Sequence, residues 1–138
     1  METNYENGAD ALTDETREKI KGLSKAMLRL HKLLLEGEKA VYELNNGRIE
    51  TPGQYLALVI DDPHFAWLRK LSSLIALLDE AVSLRRTAPE ADANALLVEA
   101  GILLNFEDAD EGFNDKFQTA LQRNTDAVLI HNEALKFV

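Results

Sequence analysis

Between Thr13 and Asn46 no proline interrupts the chain, and Ile20, Leu23, Met27, Leu30, Leu34, Gly37, Val41 and Leu44 follow one another in steps of three and four. A helix turns about 100° per residue, so this seven-residue repeat draws one stripe along a helix of about 33 residues, on the order of 50 Å long. Thr13 is a suitable N-cap, Asp14 and Glu15 place negative charge in the first turn, and Asn45-Asn46-Gly47 supplies the stop. An apolar stripe of that length needs several other helices to cover it. That requirement selects an all-α fold.

The rest of the chain supplies them. Thr51-Pro52-Gly53-Gln54 reads as a helix start, with proline at the first helical position and Gln54 closing a capping box. The helix it opens is short, because Asp61-Asp62-Pro63 restarts the chain. The spacing of Leu68, Leu71, Ile75, Leu78 and Val82 predicts a helix from Pro63 to about Arg86, with Arg85 and Arg86 in its last turn. After Thr87-Ala88-Pro89, residues from about Glu90 to Leu104 form a helix apolar almost all round. Such a helix is either central or buried in a subunit interface. The acidic loop Glu107 to Gly112 precedes a last helix from about Gly112 to Lys136. The expected architecture is a four-helix up-down bundle with an additional short helix between helices 1 and 2. It occupies residues 13–138 as one domain, behind a disordered N-terminal tail of residues 1–12.

Composition narrows the chemistry. There is no cysteine, so disulfides, thiolate zinc sites and cysteine nucleophiles are excluded. The net charge of −9 repels phosphate backbones and anionic lipid, which argues against nucleic-acid and membrane partners. Met1 to Asp10 lacks the basic start and apolar run of a signal peptide, and no apolar stretch approaches the roughly 20 residues of a membrane span. A cytoplasmic location is the expectation. No Glu-x-x-His pair, His-Glu-x-x-His motif, phosphate loop or nucleophile elbow occurs. The run from Asp108 to Asp115 resembles a calcium loop. With Gly112 as its sixth position, however, Ala109 stands third and Gln118 twelfth, and both break the ligand pattern. No metal or cofactor is expected.

What remains are polar residues on apolar faces. On the first helix Glu38 and His31 fall within about 60° of the Leu34 direction. Asp79 flanks the stripe of its helix, and Asn124 and His131, seven residues apart, lie among Phe117, Leu121, Val128 and Leu135. A buried carboxylate or amide without a partner costs about 1–3 kcal/mol. Some of His31, Glu38, Asp79, Asn124 and His131 are therefore expected to satisfy one another in a polar layer across the core. Such a layer fixes helix register or subunit pairing, or, in the alternative, serves a metal-binding protein or an enzyme. In that case Glu38 and Asp79 would be ligands or general base, with His31 and His131 as ligands. His64, beside the only tryptophan, is read as part of a cap region.

Asp62-Pro63-His64-Phe65-Ala66-Trp67-Leu68-Arg69, with Leu71-Ser72, Leu74-Ile75 and Asp79-Glu80 after it and Leu30-His31 and Gly47-Arg48-Ile49 before it, resembles a group of small bacterial helical proteins. The resemblance covers roughly residues 30 to 80. It implies a bacterial origin and assigns no activity. The reading from the residues is a non-enzymatic bundle acting through a protein partner or as a homo-oligomer. Its contact is expected at Leu96, Val98, Ile102 or Leu103. A carrier of a small apolar molecule between the helices is a third possibility.

Overall fold

The computed structural model describes residues 10–138. Seven helices and no strand are found among them: α1 (Asp14–Asn46), α2 (Pro52–Asp61), α3 (Pro63–Ala66), α4 (Arg69–Ala81), α5 (Glu90–Leu104), α6 (Glu111–Gln122) and α7 (Thr125–Leu135). Of the expected tail, residues 1–9 lie outside the described residues, while Leu12 packs in part against the core.

The caps follow the sequence signals. The Thr13 side chain accepts from the Thr16 N–H, Thr51 from Gln54, Asp62 from His64 and Asp110 from Phe113. Gly47 ends α1 with φ of 85°, a conformation that disfavours a residue with a Cβ. Gln54 reaches back to the N–H of Glu50 rather than to that of Thr51.

Two expected helices differ. The helix from Pro63 tightens at Trp67 and Leu68, where the Leu68 N–H bonds to the Phe65 carbonyl and that of Leu71 to Leu68. Both residues keep right-handed backbone, so the interruption is one narrow turn between α3 and α4. α4 stops at Ala81, leaving Arg85 and Arg86 beyond its end; Arg86 pairs with the exposed Glu80 at 3.7 Å. The last expected helix is two. Asn124 takes extended backbone and its side chain accepts from the Ala127 N–H at 3.0 Å, which makes it the N-cap of α7.

α1 is the axis. It packs against α7, α4, α5, α6 and α3, so its stripe is covered from several sides. Ile20, Leu23, Met27, Leu30 and Leu34 are all buried, against Leu71, Leu74, Ile75 and Leu78 of α4 and Ala127, Ile130 and Ala134 of α7 among others. Beyond Leu34 the pattern leaves the core: Gly37 is exposed, Val41 is half-buried and Leu44 is 86% exposed. α5 lies against α4, α1 and α7, which explains its lack of a polar face. The C-terminus returns to the bundle, where the Phe137 ring occupies the space a side chain at Gly22 would need.

Polar ties join distant parts of the chain. Glu90, first residue of α5, accepts from the Thr16 hydroxyl at 2.6 Å and from the Thr13 N–H at 2.9 Å. These bonds hold its carboxyl below the ordinary carboxylate range. Lys70 and Asp108 meet at 2.5 Å; the pairing raises the lysine and, with the Asp110 N–H, lowers the aspartate.

Candidate functional site

The expected polar layer does not assemble. Asp79 is exposed and accepts from the buried Ser24 hydroxyl at 2.5 Å, tying α4 to α1. Asn124 is spent on the α7 cap. His131 is buried, with Nε2 2.8 Å from the Leu104 carbonyl at the end of α5. His31 is half-buried, and burial pushes its imidazole below the ordinary value. Asp79, Asn124 and His131 each have a partner outside the expected layer, so none of the three had to meet the others across the core. Among the described residues no three His, Asp or Glu side chains gather as a metal would require.

Glu38 is buried as expected, but its partners are others. One carboxylate oxygen lies 3.0 Å from His64 Nε2. The other accepts from Trp67 Nε1 at 3.1 Å and lies 3.9 Å from the Arg123 guanidinium. His64 Nε2 is also 2.8 Å from the Glu38 carbonyl. Both of its neighbours are acceptors, so Nε2 carries a proton and donates. No buried side-chain N or O among the described residues lacks a partner, and Nδ1 makes no bond to those residues, so it is open to solvent. The dyad borders a recess of about 260 Å³, lined also by Val41, Asp115, Lys116 and Thr119.

Local sequence builds this cluster. The Asp62 cap and Pro63 open α3 so that His64 and Trp67, three residues apart, share one face. That face meets α1 where Glu38 sits four residues past Leu34 on the stripe. The legible signal was a stripe carboxylate in need of donors, and two donor side chains one turn apart after a cap. Aromatic packing surrounds the cluster: Tyr42 and Phe65 flank the His64 ring at 5.7 and 4.9 Å, and Trp67 contacts Phe113 and Phe117. Phe117 continues to His131, which stacks on Phe106 at 5.4 Å.

A second feature is apolar. Glu107 N–H bonds to the Ile102 carbonyl and Phe106 N–H to that of Leu103, so α5 ends in a Schellman turn. Of the contact residues expected there, Leu103 is buried in the chain's own core, Leu96 and Ile102 are half-buried, and only Val98 is mainly exposed. α5 spends its apolar surface inside the bundle. The uncovered apolar helix is α2. It has no buried residue, and its main neighbour is α3. Tyr55 holds it in place, between Lys39 Nζ at 5.0 Å and the Phe65 ring at 6.2 Å, with Leu58 and Val59 also turned inward. Gly53, Leu56, Ala57 and Ile60 are exposed, Leu56 by 60% and Ile60 by 54%. Their spacing of three, one and three is that of a helix–helix seam. α2 carries no charge except Asp61 at its end. A groove of about 500 Å³ runs beside it, bounded by Tyr42, Arg48, Ala57, Leu58 and Asp61.

Among the described residues no helix is long and apolar enough to cross a membrane. No family model, curated protein or solved structure matches the chain.

Proposed function

We propose that this is a bacterial cytoplasmic protein that acts through contacts with other protein chains. In this reading α1, α4, α5 and the α6–α7 pair are the four members of a bundle, and α2 is the element it presents. The observation that carries the proposal is the outward seam of α2. Scattered exposed leucines are ordinary on any surface. Four apolar residues at seam spacing, on a helix with a single charge, in a chain of net charge −9, are not. The test places a photo-reactive amino acid at Leu56 and, as a control, at the still more exposed Leu84, in the producing cells. A discrete adduct from position 56 and none from position 84 is the expected result. Equal or absent labelling at both would reject the reading.

A second reading is favoured by one observation, the carboxylate–imidazole pair of Glu38 and His64 beside a polar recess. A buried carboxylate that orients an imidazole leaves the solvent-facing nitrogen able to accept a proton or to bind a ligand. On this reading the protein is an enzyme or a metal-binding protein. Stoichiometric transition metal in untagged protein, lost on His64→Ala, would favour it over protein contacts.

A further inference from the structure

We propose that the occupant of the α2 seam is a second copy of this chain, with the two α2 helices antiparallel about a two-fold axis between Leu56 and Ala57. The inference rests on the contact reading above and names its partner. An isologous interface must be self-complementary, each position meeting the one reflected through the axis. Reflection about that axis pairs Gly53 with Ile60 of the other copy, and Leu56 with its Ala57. In every pair a small residue faces a large one. This lets two helices approach closely while Leu and Ile fill the hollows left by Gly and Ala.

Charge agrees with the geometry. The same reflection sets Asp61 against Pro52 of the other copy, so each carboxylate lies at the positive N-terminal end of the opposing helix. Each α2 thus brings its only charge to a place that welcomes it. Elsewhere on a chain of net charge −9, two copies repel each other. The monomer leaves room at Gly53, where an added Cβ would meet only the Thr51 hydroxyl at 4.0 Å. Nothing among the described residues therefore needs a glycine there, whereas the paired Ile60 does.

Area sets the strength. Two ten-residue helices, each about 15 Å long, cover far less than the ~1,200 Å² at which stable complexes begin. The dimer is accordingly weak and forms only at high protein concentration.

Sedimentation of the full chain from 10 μM to 1 mM reads it. Reversible dimerisation is expected for the native sequence and at least a tenfold loss for Gly53→Leu. The pair Gly53→Leu with Ile60→Ala should recover most of it, because large again faces small. If Gly53→Leu instead strengthens association, the contact is unspecific stickiness and the pairing is overturned. A chain with no cysteine also allows a register test. A mixture of Gly53→Cys and Ile60→Cys proteins should oxidise mainly to the mixed disulfide; like-with-like products in equal yield would overturn the register. A chain that stays monomeric throughout overturns self-pairing. Photo-cross-linking at Leu56 to a different protein would then leave the contact reading standing.

Discussion

The first and last parts of α1 carry the same repeat and have different fates. From Ile20 to Leu34 the stripe is sealed beneath α4, α5 and α7; from Gly37 to Leu44 it runs out of the core, and α2 beside it has no buried residue. Periodicity states which face a helix would bury. Only the supply of neighbouring helices decides whether it does. In the second region the buried position is taken by Glu38, Val41 and Tyr42 are half-buried, and Leu44 lies at the surface.

Truncation should expose that contrast first. Leu30→Ala removes a side chain with no exposure and is expected to cost about 2–5 kcal/mol. Leu44→Ala, at the same place in the repeat, should change stability by no more than about 0.5 kcal/mol. Urea denaturation of both would break the comparison if the two losses were similar.

Glu38 anchors the boundary between the regions. Its replacement by alanine strips the acceptor from the Trp67 indole and leaves His64 only the main-chain carbonyl, at a cost of about 1–3 kcal/mol. Trp67 fluorescence should shift as its surroundings change; a native spectrum would show that Glu38 does not hold the indole.

Phe106 offers a sharper contrast at the other end of the aromatic row. It holds φ of 60°, where most side chains are strained, at the position that glycine usually fills in a Schellman turn. Its ring lies against Phe117 and His131. Phe106→Gly loses the ring and the strain together, whereas Phe106→Ala loses the ring and keeps the strain. The alanine variant should be the less stable by about 1 kcal/mol. Equal stabilities would place no strain at this turn.

The smallest effect concerns pH. Burial lowers the His31 imidazole below 6.5, so over that interval the unfolded chain binds more protons than the folded one. Stability should therefore be complete above 6.5 and decline as the pH falls below it. His31→Gln should remove that component of the slope in urea midpoints between pH 5 and 8.

Helix starts were readable because caps are local: Thr13, Thr51, Asp62 and Asp110 each act within three residues. The all-α class followed from the repeat in α1. Asn124 was misread for the same local reason, since a cap asparagine followed by Thr125 and Asp126 looks like a polar residue on an apolar face when the helix is assumed to continue. The pairing of Glu38 with His64 was hidden because it depends on where α3 lies against α1. The apolar circumference of α5 left two outcomes open, and contacts with three other helices decided for the interior. The α2 seam was present in the residues but could not be told from a buried face until its inward side, Tyr55, Leu58 and Val59, was known.

The order of synthesis gives the packing of α1 on α7 a further meaning. α1 leaves the ribosome before α7, by about 5–20 seconds at ordinary rates of translation. Throughout that interval Ile20, Leu23, Met27 and Leu30 lack the cover that Ala127, Ile130 and Ala134 later provide. The nascent chain therefore carries a long apolar stripe that cannot yet be buried in its final place. A message truncated before Thr125 would release a chain in which that part of α1 never gains its cover.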